Sequence, residues 1–207
     1  MESKVDPAAA VRSLVSEAKP ASSVSPLFIH CRVASWIGGG GWTREVAGER
    51  DFLAAVRAYA ECVLTARKGM YVCGACGCGK TALVKAVARR SSREVVFLPL
   101  DTDWDRLDAE DWPYFVSGAM GCNVILDDLG AEPPVNDFGV RRELAGEFIA
   151  RYHRYGRGRL FVTTNLDGAA LVDRYTMRVA SRLKDLCVPL RLTGPDKRTW
   201  DAKGGAA

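Results

Sequence analysis

Eight consecutive residues, Gly74-Ala75-Cys76-Gly77-Cys78-Gly79-Lys80-Thr81, match the spacing G-x-x-x-x-G-K-[ST]. They follow a short apolar run and precede a helical one, which is the setting that spacing requires. Its chemistry is phosphate binding. Backbone N–H groups of the loop and of the helix start point at phosphate oxygens. The glycines let the backbone come close and take positive φ. Lys80 reaches the β- and γ-phosphates of a nucleoside triphosphate, and Thr81 offers its hydroxyl to Mg²⁺.

Three further groups extend this chemistry. Asn123-Val-Ile-Leu-Asp127-Asp128 is an apolar strand ending in two acids. Sites of open α/β sheets lie at strand C-termini, so these carboxylates are expected beside the loop. Asp127 would hold the Mg²⁺ shell, and Asp128 would orient or deprotonate the attacking water. Leu160-Phe-Val-Thr-Thr164-Asn165 is another strand, and its terminal amide suits a γ-phosphate or water contact. An Asn there would also serve as a helix cap. Arg178 and Arg182 stand four apart on one helical face. Two such cations fit either completion of a neighbouring subunit's phosphate site or an ordinary surface salt-bridging pair.

The elements that would position these groups follow from hydrophobic period. Helices are expected over Arg50–Thr65, Lys80–Arg90, from near Asn136 to Gly156, and over Met177–Leu186. Strands are expected over Met70–Cys73, Glu94–Leu98, Val124–Leu126, Leu160–Thr163 and Val188–Leu192. The acidic stretch Asp105–Ala119 reads as partly helical and broken near Pro113. Pro7–Ala18 reads as a short helix, and the glycine run Gly38–Gly41 as a loop. Strands alternating with helices imply a parallel sheet covered on both faces.

Composition narrows the class. The chain has 207 residues, 48% hydrophobic and 26% charged, values of a globular chain long enough for a sizeable core. No apolar run reaches the roughly 18 residues of a membrane span. No secretory h-region opens the sequence, so the cytoplasm is the expected compartment. The seven cysteines are an odd number, which argues for reduced thiols in such a chain. Cys73, Cys76 and Cys78 lack a second pair to complete a zinc site. Cys76 and Cys78, at a helix start, suit either oxidative control or simple filling of the loop. Charge is uneven: Ser92–Val140 carries 11 acids against two arginines, while Arg141–Ala207 carries 14 Lys/Arg against 7 acids. The basic third suits either phosphate contact or a solvated surface.

Together these motifs resemble the AAA+ ATPases, and in detail the bacterial helicase-loader family of the DnaC and DnaI type with its relative, the transposition helper IstB. Asp127-Asp-Leu-Gly-Ala-Glu132 looks like that family's Walker B box. Phe148-Ile-Ala-Arg-Tyr152 with Phe161-Val-Thr-Thr-Asn165 resembles its sensor-one region. Arg178-Val-Ala-Ser-Arg182-Leu183 is similar to its arginine-finger box, and Gly194-Pro-Asp-Lys-Arg198 to its usual ending. The resemblance implies an α/β, three-layer P-loop domain of the AAA+ kind over residues 26–198, with a five-stranded, mostly parallel sheet. Residues 1–25 are expected as a short N-terminal tail or linker and 199–207 as a flexible C-terminal tail. The chain ends soon after its last strand, so no helical lid is expected.

The resemblance also implies roles: Gly74–Thr81 as Walker A, Asp127 and Asp128 as Walker B, and Asn165 as sensor one. Arg182 would be the arginine finger and Arg178 its companion. Implied cofactors are ATP and Mg²⁺; implied partners are a replicative helicase, single-stranded DNA and further copies of the chain. Two departures bear on this. Only about 25 residues precede the core, where loaders carry a helicase-binding domain. The stretch before Walker B is short for a DNA-gripping insertion. The other readings are an IstB-like helper ATPase and a non-hydrolysing ATP-dependent adaptor or inhibitor of a loader or helicase.

Overall fold

The computed structural model describes residues 47–64, 68–88, 93–101, 112–137, 139–194 and 196–197. The expected helix Pro7–Ala18, the loop Gly38–Gly41, residues 105–111 and the tails 1–25 and 199–207 lie outside them. In chain order the elements are α1 (Glu49–Leu64), β1 (Gly69–Gly74), α2 (Lys80–Ala88), β2 (Val95–Pro99), α3 (Trp112–Ala119), β3 (Asn123–Leu129), β4 (Val135–Asp137), β5 (Val140–Arg142), α4 (Leu144–Tyr155), β6 (Leu160–Thr164), α5 (Gly168–Leu186) and β7 (Cys187–Leu192).

Five strands form one sheet in the order β2-β3-β6-β1-β7, and every pairing in it is parallel. Side chains alternate across a strand, and here the alternation sorts two cores. Met70, Val72, Ile125 and Phe161 face one side with Phe52 of α1 and Leu83 and Val84 of α2. Val124, Leu126, Leu160 and Val162 face the other, with Phe148 and Tyr152 of α4 and Leu183 of α5. The result is three layers, helix–sheet–helix, with β1 in the interior of the sheet. Glu49 and Asp51 in the first turn of α1 suit the positive end of its dipole.

One expectation is corrected. The helix expected from near Asn136 starts at Leu144. Val135–Asp137 instead pairs antiparallel with Val140–Arg142, around Gly139 at φ 81°. Val140 continues the four-residue spacing of Leu144, Phe148 and Tyr152, but it is 62% exposed, so that spacing had no burial behind it. α3 begins at Trp112, beside the expected break, and Pro113 stands in its first turn, where a missing N–H costs nothing. The helix expected over Met177–Leu186 forms the second half of α5, and a first half from Gly168 precedes it across a break at Thr176. Asp167 caps α5 through its side chain to the Ala170 N–H at 2.9 Å. The chain bends within α5 at Thr176, φ 75° and ψ 156°. A β-branched residue there costs on the order of 1–3 kcal/mol, and the surroundings must hold it.

Candidate nucleotide-binding site

The C-terminal ends of β1, β6 and β3 lie side by side, and the sequence-identified residues meet there. Lys80 opens α2 and is only 5% exposed. Its ammonium donates to the carbonyls of Gly74 (3.0 Å) and Ala75 (2.8 Å) and to Oδ1 of Asn165 (2.8 Å). All three of its protons therefore have oxygen acceptors at the mouth of the loop. Asn165 follows β6 and is exposed. Its side chain meets Lys80, and the cap of α5 is Asp167, so Asn165 does not serve as the helix cap.

A second chain of bonds joins the loop to β3. Thr81 Oγ1 donates to Asp127 Oδ1 at 2.9 Å, and Thr163 Oγ1 donates to the same oxygen at 2.7 Å. The backbone N–H of Asp128 donates to Thr163 Oγ1 at 2.8 Å. Thr163 belongs to this cluster, and motif reading did not single it out. Its signal was the strand period: it shares a sheet face with Phe161, and Asp127 shares that face with Ile125, so both turn toward α2.

Asp128 does not simply continue the strand. Leu126 pairs with Val162 but Leu129 pairs with Thr164, so β3 holds one extra residue. Asp128 sits at φ 57° in this bulge. Bulges re-aim side chains and recur beside active sites; here the alternation that buries Asp127 is broken at Asp128, which stays half-buried.

The outer side of the loop is closed by the segment after β7. The Lys197 N–H donates to the Gly77 carbonyl at 3.0 Å. The Asp196 carboxylate abuts Gly77, so that a Cβ there would collide with it. Gly77 also sits at φ 73°, and glycine meets both demands. Burial lowers the pKa of Lys197, with Cys78 and Asp51 pulling it back. Thr193 anchors the same segment to Asp51 through two bonds of 3.1 Å.

The cysteines divide by burial. Cys78 is 1% exposed and its sulfur packs against Gly74, so it fills the loop; Cys76 is exposed. Burial pushes Cys62 up to about 11 and Cys187 higher still. At neutral pH a maleimide is expected to label Cys76 rapidly in the native protein. Cys62, Cys78 and Cys187 should react only as it unfolds, because their sulfurs are buried away from the reagent. Peptide mapping by mass spectrometry checks this; equal labelling of Cys76 and Cys78 would contradict the packing.

Arg178 is exposed and Arg182 half-buried on the second half of α5. Among the described residues neither enters an ion pair. Neither bonds to the Lys80–Asp127 group. The structure therefore brings together Lys80, Thr81, Asp127 and Asn165, with Asp128 beside them, and leaves the arginine pair out of this cluster.

The residues fit a nucleoside triphosphate with Mg²⁺. Thr81 and Asp127 offer hard oxygen donors within 2.9 Å of each other, and Mg²⁺ is usually held by one or two protein oxygens plus phosphates and water. No protein-family model matches the sequence, and no curated protein matches it either. No helix among the described residues is long and apolar enough to cross a membrane. Among solved structures the fold is similar to the crystal structure of the DnaC helicase loader. That match has a TM-score of 0.53 and 22% identity and covers 69% of this chain and 88% of that one. The architecture is that of an α/β P-loop domain with a five-stranded parallel sheet.

Proposed function

We propose that this protein is an AAA+ ATPase of helicase-loader type, with residues 26–198 as its ATPase domain. It binds and slowly hydrolyses Mg²⁺-ATP and uses the nucleotide state to switch contacts with a DNA-replication partner. The partner is a replicative helicase loaded on single-stranded DNA, and the chain works as an oligomer. The observation that carries this reading is the meeting of Lys80 with Asn165, 85 positions apart, and of Thr81 with Asp127, 46 apart. The likeness to a helicase loader's fold supports it.

In this reading Lys80 exchanges its loop carbonyls for phosphate oxygens, and Asn165 bonds the γ-phosphate or the lytic water. Thr81 and Asp127 hold Mg²⁺, which neutralises charge on the phosphates. Thr163 keeps Asp127 oriented by occupying one of its oxygens. Asp128 is the base that takes the proton of the attacking water. It is one methylene shorter than Glu, so its reach is short and turnover is expected below the roughly 10 s⁻¹ of a median enzyme.

The test is a pair of measurements on one substitution. Asp128→Asn should bind Mg²⁺-ATP within about threefold of wild type by calorimetry, yet turn over at least roughly a hundredfold more slowly, because an amide cannot accept the proton. Failure of the wild type to bind ATP would sink the assignment. Normal turnover by the variant would move the base to another residue. Affinity capture with ATP present should retain a helicase.

A further inference from the structure

On the far side of the Asp128 turn lies a buried polar cluster that the ATP site does not use. Glu132 is 1% exposed. Its Oε2 accepts from the Gly130 N–H at 2.9 Å, and its Oε1 accepts from the Tyr175 hydroxyl. Arg174 donates to the carbonyls of Gly130, at 2.6 Å, and of Glu132. Its guanidinium lies 3.7 Å from the Glu132 carboxylate and 3.5 Å from that of Glu143, which precedes α4. Burial raises the pKa of both Glu132 and Tyr175. A buried carboxylate is retained only when paired and hydrogen-bonded, and a single apolar contact would hold these segments at lower cost.

The position of the cluster gives it a use. Its bonds bolt the first half of α5 to the turn that follows Asp127 and Asp128. Directly beyond Tyr175 the helix bends at Thr176, in a backbone region that is essentially glycine's own. Beyond the bend stand Arg178 and Arg182. Among the described residues the non-glycine positions with positive φ are Asp128 and Thr176, and they flank the cluster at its two ends. Gly146 of α4 lets Tyr175 and Val179 pack close, so the bend is clamped from the α4 side as well.

We infer that Glu132, Arg174 and Tyr175 form a strut that fixes the direction of the second half of α5 relative to the Asp127–Asp128 turn. The strut thereby sets how Arg178 and Arg182 are presented to a neighbouring copy of the chain. The residues are positioning residues: none touches the phosphate loop. This rests on the ATPase reading above, in which Arg182 acts in a neighbour's site. The strut then ties a chain's own nucleotide state to the help it gives next door.

Two readouts on Tyr175→Phe test it, since that change removes a single hydroxyl. The first is amide hydrogen exchange. Exchange over 177–186 should quicken at least about tenfold while α2 is unchanged. Glu132→Gln should show the same pattern if Tyr175→Phe folds poorly, folding being checked by thermal melts. Unchanged exchange over 177–186 in well-folded variants overturns the strut. The second is donor–acceptor mixing. Arg182→Ala supplies an intact ATP site and Lys80→Ala supplies an intact finger. Adding Tyr175→Phe to the Lys80→Ala donor should cut the activity of the mixture at least about tenfold. Adding it to the Arg182→Ala acceptor should leave activity within about threefold. Equal losses on both sides mark a merely structural role and overturn the proposal. If the mixture lacking Tyr175→Phe is already inactive although the chains co-assemble, the finger reading of Arg182 fails, and the strut's stated use falls with it. The exchange result still reads the strut itself.

Discussion

Lys80→Ala is expected to weaken Mg²⁺-ATP binding at least about a hundredfold and to abolish hydrolysis. The ammonium makes three bonds to oxygen in this structure, and in the reading above those bonds pass to the triphosphate. Hydrogen bonds to charged groups are worth roughly 1.5–3 kcal/mol each, and about 1.4 kcal/mol is tenfold in affinity. Losing two of them accounts for the expected change. The fold should survive, because Gly74 is half-buried and Ala75 exposed, so their carbonyls can meet water.

A second readout separates lost binding from lost structure. A ligand at 100 times its Kd stabilises the folded state by about 2.7 kcal/mol. For a domain of this size that is a rise in Tm of roughly 5–10 °C. Wild type should show the rise in Mg²⁺-ATP, and Lys80→Ala should melt at the wild-type apo temperature and show none. Equal ATP affinity in the two proteins would remove Gly74–Thr81 from the function altogether.

Arg182→Ala is expected to leave ATP affinity within about threefold, since its own phosphate loop is untouched. Its hydrolysis should fall by roughly 10³ or more, the usual worth of an arginine finger. The loss appears in turnover because the missing charge is needed only as the transition state forms. Among the described residues Arg182 and Arg178 enter no ion pair. Specific activity of wild type should rise with protein concentration. Mixing Arg182→Ala with Lys80→Ala should restore activity at interfaces that pair the intact ATP site of one with the intact finger of the other. Mixtures that co-assemble and remain inactive would return both arginines to the surface.

The sequence by itself determined what is local. Gly74–Thr81 announces the phosphate loop because its chemistry needs contiguous backbone, glycines at fixed offsets and a lysine that opens a helix. The apolar runs Met70–Cys73, Val124–Leu126 and Leu160–Thr163 each became the centre of a strand, since burial on both faces selects continuous hydrophobic residues. The acids near the end of β3 were legible for the same reason, since they follow directly on its apolar run. What the tertiary structure decided lies between segments far apart in the chain. Asn165 turns to Lys80 instead of capping α5 because β6 lies beside β1, a neighbourhood that no spacing within 160–165 encodes. Thr163 gains its part only when β3 and β6 pair. Val140 kept helical spacing and still became hairpin, because spacing marks a helix only where another element buries the stripe. Thr176 is bent and Glu132 is buried through bonds that span more than 40 residues. Such bonds leave no period in the sequence, since hydrogen bonding depends on where the chain returns and not on which residues are neighbours along it.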